Sequence, residues 1–285
     1  MTMLALARWL LYADLGVVFG VPAAAWLTAA RFALPRLRGW LVAAALAGLA
    51  LSVWGYLLLV AQMAGTGLAD LDWEIARSLI TQSALGWAFL ARLAALVAVT
   101  GLWVAGSDRL GSAVAAGGIA VASLAWSGHA AAGEGALSAV QLGGDMLHLL
   151  AASAWIGALV LFVAMLFAPV ARPVDPARAV AALARFSRIG SALVAILIAT
   201  GLANTLFLAS PRQWPIMAST LYGRLLIAKL LLFAMMLGLA ALNRFRFVPS
   251  FALARLRTSV AIELALGFAV LLCVGLLGTL DPLAM

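Results

Sequence analysis

Apolar runs of about 20 residues recur along this chain between short connections that carry arginine, and no other feature restricts its fold as much. A run of that length crosses about 30 Å of hydrocarbon as a helix and is too long for a barrel strand. Charged residues make up 10% of the chain, against roughly 25% in an ordinary soluble domain. A mean hydropathy of +1.15 leaves no polar face to clothe a globule. The expectation is an all-α polytopic membrane helix bundle, a single integral membrane domain over residues 1–285, surrounded by lipid.

Eight spans can be drawn, at about residues 5–30, 40–63, 85–106, 112–128, 143–168, 187–208, 222–242 and 257–279. The connection 31–39 carries Arg31, Arg36 and Arg38; 169–188 carries Arg172, Arg178, Arg185 and Arg188; 243–257 carries Arg244, Arg246, Arg255 and Arg257. The positive-inside rule makes these three cytoplasmic. Alternation then puts both termini outside, with the acidic loop 64–84 and the loop 129–142. The first 27 residues resemble a signal peptide with Ala23–Ala25 as a cleavage site, but the apolar run is long for one and contains Asp14, so it reads as the first span.

The net charge of +8 does not indicate nucleic acid, because the arginines cluster between apolar runs instead of on a soluble basic face. A single cysteine, Cys273, excludes an internal disulfide and a cysteine-rich metal cluster. No Walker loop, dinucleotide fingerprint, HExxH or nucleophile elbow occurs, so neither ATP-driven pumping nor catalysis is expected.

What remains for metal or proton chemistry is concentrated in residues 127–155, which hold both histidines, His129 and His148. Asp145, His148, Ala152 and Trp155 follow a 3-4-3 spacing and share one helix face. On that face Asp145 can accept from one imidazole nitrogen and leave the other for a metal; an interfacial histidine capping helix ends is the bland alternative. Thr200 and Asn204 share a face near the outer end of the sixth span, as an interhelical hydrogen bond or the lining of a site. Asp14, Arg92 and Lys229 lie at similar depth, which permits Asp14 to pair with Lys229 or Arg92. Glu263 sits toward the cytoplasmic end of the last span, within reach of the inner arginines as an anchor; a proton relay is the alternative reading, but no chain of partners runs from it across the membrane. Methionines are common near the outer surface, Met146 among them. Thioether, thiol and imidazole together suit copper, Cu(I) above Cu(II), better than a hard cation.

The segments RFSRIGSALVAILIATGLANTLFL, LYGRLLIAKLLLFAMMLGLAALNRFR and RLRTSVAIELALGFAVLLCVGLLGTLDP, with SGHAAAGEG and DMLHLLAASAWIGAL upstream, resemble the copper resistance protein D (CopD) family of bacterial inner-membrane proteins. The resemblance covers about residues 120–282, and residues 1–119, the first three spans and the start of the fourth, only by topology. His129, His148, Trp155, Asn204, Tyr222, Arg224, Lys229, Asn243 and Glu263 match its pattern. It implies copper handling together with a separate periplasmic carrier of the CopC type.

The combined expectation is an inner-membrane protein that accepts copper at its periplasmic face and passes it inward. His148 is the first ligand, His129 the second and Met146 a soft third; Asp145 orients His148, while Asn204 and Tyr222 line the same pocket. Two readings compete with it. Two histidines on facing helices can hold one b-type haem, and a docking or assembly factor can bind a copper chaperone without moving copper.

Overall fold

Most of the described helices begin where a short polar side chain or proline occupies one of the first positions. In the computed structural model, which describes residues 2–127, 136–169, 173–208 and 213–281, ten α-helices follow one another and no strand occurs among those residues. They are α1 (Met3–Leu27), α2 (Leu34–Ala64), α3 (Trp73–Gln82), α4 (Ala84–Val104), α5 (Leu110–Ala122), α6 (Ala136–Leu166), α7 (Pro176–Leu208), α8 (Trp214–Ser219), α9 (Leu221–Leu242) and α10 (Leu253–Leu277). The hydroxyls of Thr2, Ser83 and Thr220 accept from the backbone N–H three residues on, satisfying orphan donors of α1, α4 and α9. Gly65, at φ +66°, closes α2 in the left-handed conformation that glycine adopts without strain.

Eight of these elements are long and apolar enough to cross a membrane: all but α3 and α8, with α5 prolonged by the 3₁₀ turn Ser123–Ser127 and α9 by the π turn Asn243–Phe247. The all-α, eight-span reading therefore holds. Its boundaries shift in two places. Helix α7 starts at Pro176 instead of near residue 187, because the Asp175 carboxylate accepts from Ala177 N–H and proline occupies the first helical position. Helix α6 starts at Ala136 instead of 143. Within the outer loop 64–84, Asp72 caps α3 through Glu74 N–H and Ile75 N–H, and Tyr56 Oη donates to Ala76 O at 2.5 Å to hold α3 against α2.

The core centres on α1 and α6, which share the most extensive helix contact in the molecule. They cross at Gly20 and Gly157, where a Cβ on Gly157 would lie 2.0 Å from Gly20 C. Only two glycines allow so close an approach. The GxxxG spacing at Gly16 and Gly20 thus serves packing within the chain. Gly275 brings α10 against α1, where an added Cβ would stand 2.8 Å from Ala5 O.

The arginine clusters converge at one end of the bundle. There, helices that end without intrahelical partners for their last carbonyls receive arginines from other elements. Arg185 donates to Thr28 O beyond α1 (3.2 Å), Arg38 to Trp103 O and Val104 O at the end of α4 (2.5 Å each), and Arg257 to Leu166 O at the end of α6 (2.8 Å). Arg36 reaches Pro173 O at 3.1 Å. At the opposite end Arg8 donates to Gly278 O beyond α10 and to Ser127 O.

Candidate functional site

Two rungs join α6 to α7 near the outer end of the bundle. His148 Nδ1 stands 2.8 Å from Thr200 Oγ1, and Asn204 Nδ2 donates to Asp145 Oδ1 at 2.5 Å. Spacings of three on α6 and four on α7 keep both pairs in register between antiparallel helices. The Thr200 hydroxyl has one proton, which it gives to Ile196 O at 2.6 Å. Its oxygen therefore accepts from His148 Nδ1–H, and Nε2 keeps its lone pair. No described residue bonds Nε2.

The predicted site residues are only partly brought together. Asp145 does not orient His148; Thr200 does, because the carboxylate lies one turn outward and is taken by Asn204. Met146 is two residues from His148, about 160° round the helix at 100° per residue, and does not line the pocket. Asp14 is also absent from it: its Oδ2 has no hydrogen-bond partner and packs toward Gly48 of α2. The expected pairing of Asp14 with Arg92 or Lys229 is not formed. Arg92 instead donates through Nε to Ser123 Oγ at 2.8 Å, since the α4–α5 contact brings a hydroxyl closer than the carboxylate. His129 lies outside the described residues.

Asp145, His148, Asn204, Tyr222 and Lys229 do line one outer cavity of about 220 Å³, together with Arg8, Tyr12 and Gln141. Lys229 lies within electrostatic range of both Asp145 and His148. Arg8, Tyr12 and Gln141 were not singled out by the sequence. The first two stand on α1, and only its crossing with α6 brings them there.

Beneath this pocket lies an apolar cavity of about 390 Å³, sharing His148, Gly201, Thr205 and Lys229 with it and lined by Trp155, Phe233 and Met236. It exists because α7 packs mainly on α6 and α9 mainly on α10, so the consecutive spans α7 and α9 hardly touch. Trp155 forms its inner wall and also borders a third cavity of about 190 Å³ at the arginine-rich end. There Trp155 Nε1 donates to Glu263 Oε1 at 2.9 Å, and Asn243 Nδ2 to Oε2 at 3.1 Å. Glu263 is 3% exposed, and no arginine bonds it, contrary to the expected anchor. Of the arginines nearby, Arg185 and Arg257 are engaged by backbone carbonyls and Arg244 by Ser187 O and Ser191 Oγ.

Comparison with known proteins places this arrangement. Residues 1–139 match the family model described as "Copper resistance protein D-like, N-terminal domain", and residues 180–277 match "Copper resistance protein D". Copper resistance protein D of Pseudomonas syringae pv. tomato is 37% identical over 314 residues, covering 96% of this chain and 95% of its own length. The chain belongs to the copper resistance protein D family. Inner membrane protein YebZ of Escherichia coli K12 is 32% identical over 167 residues, 56% of this chain and 55% of its own. No solved structure matches. The family likeness thus extends through the first three spans, beyond the part legible from motifs. With its eight spans, this CopD-family chain is a multi-pass inner-membrane protein.

For a copper resistance D protein the donor set is sparse. Among the described residues, no three of His, Cys, Asp and Glu come together as a metal cluster. Imidazole at His148 and the thioether of Met236 are the soft donors that line the connected outer and middle cavities. Cys273 is buried near Lys229 without lining them.

Proposed function

We propose that this CopD-family protein accepts copper at its periplasmic end, on His148 Nε2, and passes it inward as cargo. The observation that carries the reading is the Thr200 bond, which fixes the His148 tautomer and leaves Nε2 for a soft ion between the outer and middle cavities. Weak, sequential donors suit a passage, since a transported ion must enter each position and also leave it. Met236, which lines the middle cavity with His148, offers the next soft donor. Cu(I) matches these donors better than Cu(II). A separate periplasmic carrier of the CopC type delivers the ion, and His129 supplies a second ligand.

Competition of the purified protein with a chromophoric Cu(I) chelator tests this reading. Tight binding that is lost in His148→Ala supports it; equal binding by both proteins removes His148 from the site. Copper flux in proteoliposomes then separates passage from docking, because an assembly factor binds copper without moving it. A Soret band in the purified protein would replace the copper reading with a haem one.

A further inference from the structure

Among the described residues, four buried polar atoms in the membrane's inner half or middle lack hydrogen-bond partners: Asn243 Oδ1, Ser259 Oγ, Trp103 Nε1 and Asp14 Oδ2. Two of them surround Glu263. Asn243 opens the π turn that ends α9, a helix irregularity that is common at functional sites. Ser259 stands one turn inward of Glu263 on α10. Asn243 is 8% exposed, and with Glu263 it lines the inner cavity. An intramembrane carboxylate with no cationic partner calls for an explanation in terms of function.

The charged groups around Glu263 are occupied elsewhere. Arg244, the other ionisable residue lining the cavity, donates to Ser187 O and Ser191 Oγ on α7. Arg257 of α10 and Arg185 of α7 cap carbonyls of Leu166 and Thr28. Asp14 of α1 packs toward α2, while His148 of α6 and Lys229 of α9 belong to the outer pocket. Glu263 therefore meets only neutral donors, one on each oxygen.

We propose that Glu263, Asn243 and Trp155 form a proton-binding site in the inner half of the membrane, and that its occupancy is coupled to copper movement. Asn243 suits both protonation states. With the carboxylate ionised, its Nδ2–H donates to Oε2, as observed, and Oδ1 stays unpaired. With Oε2 protonated, a half-turn of the amide presents Oδ1 as the acceptor for O–H, so neither state breaks an ion pair. Trp155 is the link outward: one face of its surroundings is the cavity beneath His148, while its N–H holds the acid. The two stations lie two helical turns apart on α6, about 10 Å. The coupling rests on the copper reading given above; the proton site does not.

Infrared difference spectra of the purified protein across a pH titration read the acid directly. A carboxylic-acid band that appears on acidification, is lost in Glu263→Gln and shifts in Trp155→Phe is the expected result. Copper uptake by proteoliposomes should respond several-fold to an imposed pH difference in the native protein and lose that response in Glu263→Gln. Carboxylic-acid bands left unchanged by Glu263→Gln, or no titrating band in the native protein, overturn the site. A band assigned to Glu263 with pH-independent uptake overturns the coupling alone, and absence of copper binding overturns the copper reading while the band still reports the acid. Trp155→Phe keeps the acid, so a band unmoved by that change also counts against the cluster should Glu263→Gln fail to fold.

Discussion

At the scale of residues, the outer pocket depends on a hydroxyl that carries no charge and coordinates nothing. Thr200→Val removes the acceptor for His148 Nδ1–H while keeping the shape of the side chain. Cu(I) affinity should fall about 10- to 100-fold, the usual effect of losing a partner behind a metal-binding histidine, and Thr200→Ser should restore it; chelator competition measures both. Lys229 acts in the opposite sense. Its charge lies within range of His148 and repels an arriving cation. Lys229→Gln should therefore tighten Cu(I) binding by roughly tenfold in the same assay, and a weaker complex would show that Lys229 serves the site in another way. The sequence disclosed the α6 face of Asp145, His148 and Trp155 because helical spacing alone orders it. It could not disclose that Thr200 rather than Asp145 meets His148, since that depends on the register between α6 and α7. Met146 has a suitable donor at an unsuitable angle, since two residues along a helix is the far side.

Among elements, the α1–α6 crossing decides whether the rest can assemble. Gly157→Ala puts a methyl group into the Gly20 backbone and should cost about 1–3 kcal/mol, as overpacking of a tight contact does. The melting temperature in detergent should fall by several degrees, whereas Gly39→Ala, with nothing within 4 Å of its new Cβ, should be neutral or stabilising. The eight crossings were legible because hydropathy measures what must sit in hydrocarbon. Helix ends beyond the hydrocarbon were not: the first turns of α7 are alanine and arginine on a helix that continues past the apolar stretch. Helix α3 escaped because Asp72, Glu74 and Arg77 lower its hydropathy, although Asp72 three residues before Ile75 is a helix-start signal. The gap between α7 and α9 follows from which neighbour each one chooses, and a single sequence does not record that.

For the whole molecule, orientation is the property most exposed to test. In a Cys273→Ser background, Asp70→Cys should react with a membrane-impermeant thiol reagent from the periplasmic side, and Ser250→Cys only after the membrane is opened; the reverse pattern would invert the protein. Both positions are exposed. The arginines that set this orientation also close the ends of α1, α4 and α6. Those two duties draw on different properties of the side chain. Retention of a segment on the cytoplasmic side during insertion needs only positive charge, whereas a carbonyl cap uses the planar, many-donor guanidinium. Replacing Arg38, Arg185 and Arg257 together by lysine should leave the labelling pattern intact and lower the melting temperature, so that biogenesis and endurance, fused in the native chain, come apart.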